Sequence, residues 1–291
     1  MIGRRLVHHL GDCLITSRDP ERARTRFAYG VTDAMRWNAG KEPMQLPTDW
    51  RPQAIVNLVG EPIAEGRWTR RKKERIRSSR IDATRQLVQA LETSDVKPRV
   101  LVSASAVGIY GSRRDEVLSE QSELGDGFLA ELCQAWETEA RRAEILGIRV
   151  VTIRIGVVLS RRGGALAKLV KVFRWGMGGT LGDGKQWMSW IHIDDLVALI
   201  RCAIENDSIR GPLNAVSPLP VTNRKFTRRL AQVLNRPAPW RVPYLALRLG
   251  LGEFAETLLE STRVKPLVAI DQGFDFQFGR LENCLRELLV D

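Results

Sequence analysis

Apolar positions along the first half of the chain fall into short runs separated by stretches with helical spacing. Runs of four to six residues predict strands at 13–16, 54–58, 99–103 and 149–154. Between them, Ile76, Ala83, Leu87 and Leu91 recur on one face of a long helix expected over 69–92. Leu129, Leu132, Trp136 and Ala140 do the same for a helix over 128–146. A helix-like stretch from Gly3 to Gly11 opens the chain and runs directly into the first strand. Strands alternating with helices imply a parallel sheet covered on both faces, an α/β fold.

The rhythm changes after Arg154. Glycines and tryptophans crowd "RWGMGGTLGDGKQWMSW"; then come "IHIDDL", a helix to Glu205, and "GPLNAVSP". The remaining residues are helical and punctuated by prolines. They suggest a small C-terminal lobe at 216–291 on a main domain at 1–215, with 155–190 contributing to the substrate lobe. Residues 245–259 are apolar enough to suggest a membrane-active segment, but core or lobe interface is the preferred expectation.

Composition narrows the class. The chain has 291 residues, 44% of them hydrophobic, enough to bury a sizeable core. No apolar run reaches the roughly 18 residues of a membrane span, and no secretory h-region opens the chain, so a soluble, cytoplasmic protein is expected. Cys13, Cys133, Cys202 and Cys284 form no C-x-x-C pair, and His8, His9 and His192 lack metal spacing, so neither a disulfide framework nor a metal site is expected. The net charge of +11 could attract nucleic acid, but the arginines are dispersed and no aromatic interleaving accompanies them. We expect a small-molecule substrate, no nucleic acid and no membrane, with a homodimer left open.

A chain that starts on a helix is unusual for this class. In a dinucleotide-binding fold the first strand ends in a glycine-rich turn that opens the first helix, whose N–H groups face the pyrophosphate. Residues 1–4 read as the end of such a turn, with Gly3 as its last glycine. We therefore expect a strand and the earlier glycines roughly ten residues upstream of Met1, and weaker cofactor binding without them; Gly3 as an ordinary helix start is the alternative. Beyond the second strand of such folds, an acidic residue reads a ribose 2′-hydroxyl and an Arg accommodates a 2′-phosphate. Ser17-Arg18 occupies that place and favours NADP over NAD. Asp19 is the counter-argument, although Asp19-Pro20 reads as a helix start.

Five blocks, "AIVNLVGEPIAEGRW", "SSRIDATRQLV", "VLVSASAVGIYG", "RIGVVLSRRGGAL" and "GDGKQWMSWIHIDDL", resemble the epimerase-like group of atypical short-chain dehydrogenases/reductases, within the NAD-dependent epimerase/dehydratase superfamily. The tail "RVKPLVAIDQGFDFQF" resembles the group's small C-terminal domain. The resemblance implies an extended-type, Rossmann-like doubly wound parallel sheet, here without its first strand and most of the glycine turn, that binds NADP(H) across the strand ends. It implies that Ser17 and Arg18 hold the 2′-phosphate and that Leu58, Val59 and Gly60 line the cofactor. Arg80 would approach it, Ser103 to Ala106 would pass the nicotinamide ribose, and Val158 would touch the cofactor.

Ordinary members of the superfamily use Tyr and Lys four apart on one helix face. None of the three tyrosines qualifies: Asp33 follows Tyr29, Arg114 follows Tyr110 and Arg248 follows Tyr244. Leu129 and Cys133 stand where the pair belongs. The candidate substitutes are Glu61 as base, Ser103 or Ser105 to orient a substrate hydroxyl, and Tyr110 as acid. Cys133 reads as a core residue, Lys185 as a loop residue or anion contact, and His192 with Asp194 and Asp195 as a helix start. The leading expectation is an NADP(H)-dependent oxidoreductase or epimerase-like enzyme. The alternative is a non-catalytic NADP(H)-binding redox sensor or scaffold protein.

Overall fold

A computed structural model describes residues 1–27, 30–47 and 49–290. In chain order the first part comprises α1 (Ile2–Leu10), β1 (Cys13–Ser17), α2 (Pro20–Arg26), β2 (Val31–Arg36), β3 (Ala54–Asn57), α3 (Arg70–Ser78), α4 (Ile81–Thr93), β4 (Val100–Ala106), β5 (Val117–Leu118), α5 (Phe128–Arg141) and β6 (Arg149–Ile155). Then follow β7 (Val157–Leu159), α6 (Gly164–Arg174), β8 (Gly179–Leu181), β9 (Trp187–Met188), β10 (Trp190–His192), α7 (Ile193–Glu205) and β11 (Gly211–Ala215). The chain ends with β12 (Val221–Thr222), α8 (Asn223–Val233), β13 (Trp240–Val242), α9 (Tyr244–Leu251), α10 (Phe254–Thr257), β14 (Arg263–Val264), α11 (Leu267–Asp271) and α12 (Leu281–Leu289).

The central sheet is parallel, in the order β11-β6-β4-β3. Alternate residues of β4 serve opposite faces, as a strand period of two requires. Val100 and Val102 pack with Leu6 of α1 and with Leu196 and Ile200 of α7. Leu101 packs with Leu87 and Leu91 of α4 and Ala140 of α5. Burial on both faces explains why β4 reads as a near-continuous apolar run.

β1 and β2 form a separate parallel pair. β1 and β3 each keep one edge without a strand partner among the described residues. β2 escapes a reading by pattern because only Ala34 of Val31–Arg36 is buried and Asp33 interrupts the run. Asp19 caps α2 by accepting the Arg22 N–H at 3.0 Å, and Pro20 takes the first helical position.

The long helix expected over 69–92 is two helices. α3 stops at Ser78, and α4 starts afresh at Ile81. At the break the Ser79 hydroxyl accepts the Glu61 N–H at 2.9 Å, and the Arg80 guanidinium turns back to donate to the Ile76 carbonyl at 3.3 Å. These tertiary bonds outcompete the helical pattern, which runs across the break undisturbed.

The C-terminal segments pair back onto earlier ones: β13 on β8 and β14 on β5 in parallel, β12 on β9 antiparallel. Leu166 and Phe173 of α6, Trp190, Phe226 and Leu230 of α8 and Leu285 of α12 share one core, so residues 155–190 and the tail pack as a unit. Residues 245–259 depart from the expected core role. Leu247 and Ala255 are buried, but Leu245 is 70% and Leu249 75% exposed. Among the described residues, no helix is long and apolar enough to cross a membrane.

Candidate functional site

The parallel register aligns the carboxyl ends of the strands. Asn57 lies beside Ser103 and Ser103 beside Thr152; Ala106 lies beside Ile155, and Ile155 beside Ala215. In open parallel sheets ligands bind outside this edge. β4 extends three residues past the expected end, so Ser103 sits inside the strand rather than at its tip.

At the tip of β1 the Ser17 hydroxyl donates to the Asp19 carbonyl at 3.0 Å and accepts the Asp19 N–H at 3.1 Å. Arg18 projects exposed between them. Its charge adds the smallest of the pulls that lower the Glu61 carboxyl. Asp19 is committed to the α2 cap and faces the helix N–H rather than the edge.

After β3, the Asn57 side chain organises the turn. It accepts the Val59 N–H at 3.3 Å and donates to Thr84 at 2.8 Å and to Ser103 at 3.3 Å. Thr84 in turn accepts the Trp136 indole N–H at 2.9 Å. Leu58 rests against α1, its Cδ1 3.9 Å from where a Cβ on Gly3 would lie. Gly60 passes beneath Arg80: a Cβ there would lie 2.9 Å from the guanidinium carbon. Arg80 donates to the Glu61 carbonyl at 3.0 Å and sits over the Trp136 ring at 5.3 Å, and burial pushes its guanidinium below the ordinary value. Arg80 is thus at the break between two helices rather than within one.

The Glu61 carboxylate pairs with Lys72 at 2.8 Å and lies 3.6 Å from Arg75. The hydrogen bond from Lys72, then the neighbouring cations, hold it below the usual carboxylate range. On the far side of the edge, Val158 lies on β7 beside Ile191, and its carbonyl is 3.5 Å from a Cβ position on Gly164. Met1 bridges back to this loop, its sulfur 3.4 Å from the Cβ position of Gly163.

Ser105, Tyr110 and α5 form a second, buried group. The Ser105 hydroxyl donates to Glu137 at 2.7 Å, and Arg154 grips both Glu137 oxygens at 2.9 Å. Arg154 also donates to the Tyr110 hydroxyl at 2.9 Å, which itself donates to Asn214 at 2.7 Å. Tyr110 ends the 3-10 turn Val107–Tyr110 and has no exposed surface; burial pushes its phenol up, against the pull of Arg154. Burial also raises the Cys133 thiol to about 11, leaving it protonated and inert. Leu129 packs against Gly108, its Cβ 3.4 Å from the glycine's Cβ position.

The structure therefore brings Gly60, Glu61 and Arg80 together after β3, where Arg80 bonds the Glu61 carbonyl, while Ser103, expected to line the cofactor and orient substrate, is fully buried inside β4 against Asn57, and Tyr110 lies in the separate Arg154 network. Tyr29 lies outside the described residues. Asn57 and Glu137 escaped the sequence reading. Glu137 had a signal, standing one helical turn beyond Cys133 on α5; a lone Asn ending an apolar run has none.

His192, Asp194 and Glu287 lie close enough to share an ion. His192 Nδ1 accepts the Asp194 N–H at 3.1 Å, which leaves the proton on Nε2 to be donated to Glu287 at 2.8 Å. Asp194 takes two bonds from Arg5, at 2.5 and 2.8 Å. The trio thus caps α7 and ties α1 and α12 to it. Lys185 is exposed, with its N–H on Asp183.

The donor set suits an anionic dinucleotide. The first turn of α1 carries no acidic residue and no side-chain cap, so its N–H groups are unspent on side chains. Burial, with Arg4 and Arg26 nearby, lowers the Met1 ammonium. An exposed Arg18 completes a positively biased rim.

A doubly wound parallel sheet with a cationic edge at its carboxyl ends defines the Rossmann-like class. The chain belongs to the NAD dependent epimerase/dehydratase family, whose model matches residues 1–215; a domain of unknown function, DUF1731, matches residues 242–288. It is 43% identical over 238 residues to the chloroplastic epimerase family protein SDR39U1 homolog of Arabidopsis thaliana, covering 81% of this chain and 68% of that one. It is 40% identical over 237 residues to the epimerase family protein YfhF of Bacillus subtilis, covering 81% and 78%. The crystal structure of human epimerase family protein SDR39U1 (isoform 2) with NADPH superposes with a TM-score of 0.87 at 29% identity, covering 99% of this chain and 96% of that one.

Proposed function

We propose that this protein binds NADP(H) across the carboxyl edge of its sheet and acts as an oxidoreductase on a small molecule. The observation that carries this reading is Arg18, exposed beside Ser17 at the tip of β1 while Asp19 turns away to cap α2. A guanidinium next to a hydroxyl matches a 2′-phosphate, and the carboxylate that would read a free ribose is occupied elsewhere. The NADPH seen in the human relative agrees with it. Gly3 and the α1 N-terminus would face the pyrophosphate. Leu58, Val59 and Gly60 would line the adenosine side, with Arg80 behind Gly60, and Val158 the nicotinamide side.

Bound there, the nicotinamide would exchange hydride with a carbonyl or alcohol carbon. Among the candidate acid–base groups, Glu61 is the carboxylate on the open edge, its side chain 32% exposed. Lys72 keeps it ionised, ready to take a proton from a substrate hydroxyl at reduced basicity. Ser103 steadies Asn57 and hence the turn leading to Glu61. Tyr110, sealed against Arg154 and Asn214, fixes the end of β4. With purified protein and a panel of small carbonyl compounds, NADPH oxidation should occur, and Glu61→Gln should lower kcat at least tenfold with NADPH affinity unchanged. Unchanged turnover in Glu61→Gln would remove Glu61 from the chemistry.

A second reading has its own observation. Leu129 and the inert Cys133 fill the positions of the usual catalytic pair, and Ser105 is committed to a buried ion pair. This favours a non-catalytic NADP(H) sensor or scaffold, which predicts tight coenzyme binding with no turnover across the same panel.

A further inference from the structure

We propose that the surface built by the end of α6, β13 and α9 docks on an anionic lipid bilayer. α9 is an apolar helix with little cover: of its residues only Leu247 is buried, and Leu245 and Leu249, one turn apart, are 70% and 75% exposed. Trp240 on β13 is 61% exposed, and its indole N–H donates to the Gly176 carbonyl at 3.2 Å. That bond sets Trp240 beside Trp175 and Met177, exposed by 79% and 60%. β13 runs directly into α9 through Pro243, so Trp240 lies only five residues before the first of the two exposed leucines. Soluble monomers rarely leave large apolar side chains grouped in this way, and a helix apolar around most of its circumference is normally covered.

Charge selects the occupant. Residues 164–182 and 231–252 contain no Asp or Glu. Lys171, Arg174, Arg236 and Arg241 are exposed there, with no ion-pair partner among the described residues, and Arg248 lies over the Tyr244 ring. The nearest acid in sequence beyond α9, Glu253, is paired with Lys73. Exposed tryptophan and leucine flanked by unpaired cations is the chemistry of a surface that sits in a headgroup layer, aromatics at the interface and cations on anionic headgroups. The Trp240 indole N–H carries its own acceptor with it, so inserting that ring leaves its donor satisfied. A second copy suits the patch poorly, since a two-fold contact would set this cationic rim against itself.

The test is co-sedimentation of the full chain with vesicles of pure phosphatidylcholine and of phosphatidylcholine containing 40% phosphatidylglycerol, with tryptophan fluorescence in parallel. Binding is expected to the anionic vesicles only, with a blue shift in emission. Lys171→Glu combined with Arg174→Glu and Arg241→Glu should weaken it about a hundredfold. Leu245→Gln combined with Leu249→Gln should weaken it at least tenfold; all five positions are exposed, so the fold should tolerate both variants. Three results would overturn the proposal: no binding to either vesicle, equal binding to both, or a dimer by light scattering that the Leu245→Gln/Leu249→Gln variant abolishes. NADPH affinity should be the same in these variants, which keeps the outcome separate from the cofactor reading.

Discussion

Two residues carry most of the electrostatic argument. Glu61 has its carboxyl held below the ordinary value by Lys72 and Arg75. A depressed folded pKa contributes stability that is present above the unfolded value of about 4.5 and is lost as pH falls through the folded one. Urea unfolding between pH 6 and pH 3 should therefore show wild type more stable than Glu61→Gln at the upper end, the gap closing in acid. Glu137 is a stronger case, because both it and Arg154 are buried. Glu137→Ala leaves the Arg154 guanidinium without its counter-charge and should cost about 3–5 kcal/mol by denaturant titration. A loss below about 1 kcal/mol would mean that water or another carboxylate replaces it. In the sequence Glu61 stands out by its place after Gly60, whereas Glu137 is marked only by its place one helical turn beyond Cys133, since its partners lie 17 and 32 positions away.

At the scale of elements, sequence pattern revealed what is buried on two faces or amphipathic and missed what tertiary contacts decide. β4 and α5 were legible because their apolar residues repeat at the period of the element. β2 was not, because an edge strand with one buried residue has no such period. The break at Ser79 and Arg80 was not, because it is made by bonds from Glu61 and back to Ile76 rather than by a glycine or proline. The glycine before it does show the constraint. Gly60→Ala would put a methyl 2.9 Å from the Arg80 guanidinium carbon. That side chain must swing away and give up its bond to the Glu61 carbonyl, a loss of about 0.5–1.5 kcal/mol by denaturant titration. The exposure of Leu245 and Leu249 was hidden for a related reason: apolarity in a segment says it wants cover, and only the packing of neighbouring elements says whether cover is provided.

For the whole molecule, the parallel register lines up the strand ends along one edge, and the tail packs with residues 155–190 in one core. The order of the sequence blocks carried the fold class and the place of the edge; the substrate is a matter of side-chain placement that no periodicity encodes. What the account most depends on is a 2′-phosphate held by Arg18. Calorimetric titration of the protein with NADPH and with NADH addresses it directly. NADPH should bind at least tenfold more tightly than NADH, and Arg18→Ala should remove about ten- to hundredfold of NADPH affinity while leaving NADH unchanged. Equal affinity for the two coenzymes, or an Arg18→Ala variant that binds NADPH as well as wild type, would contradict it.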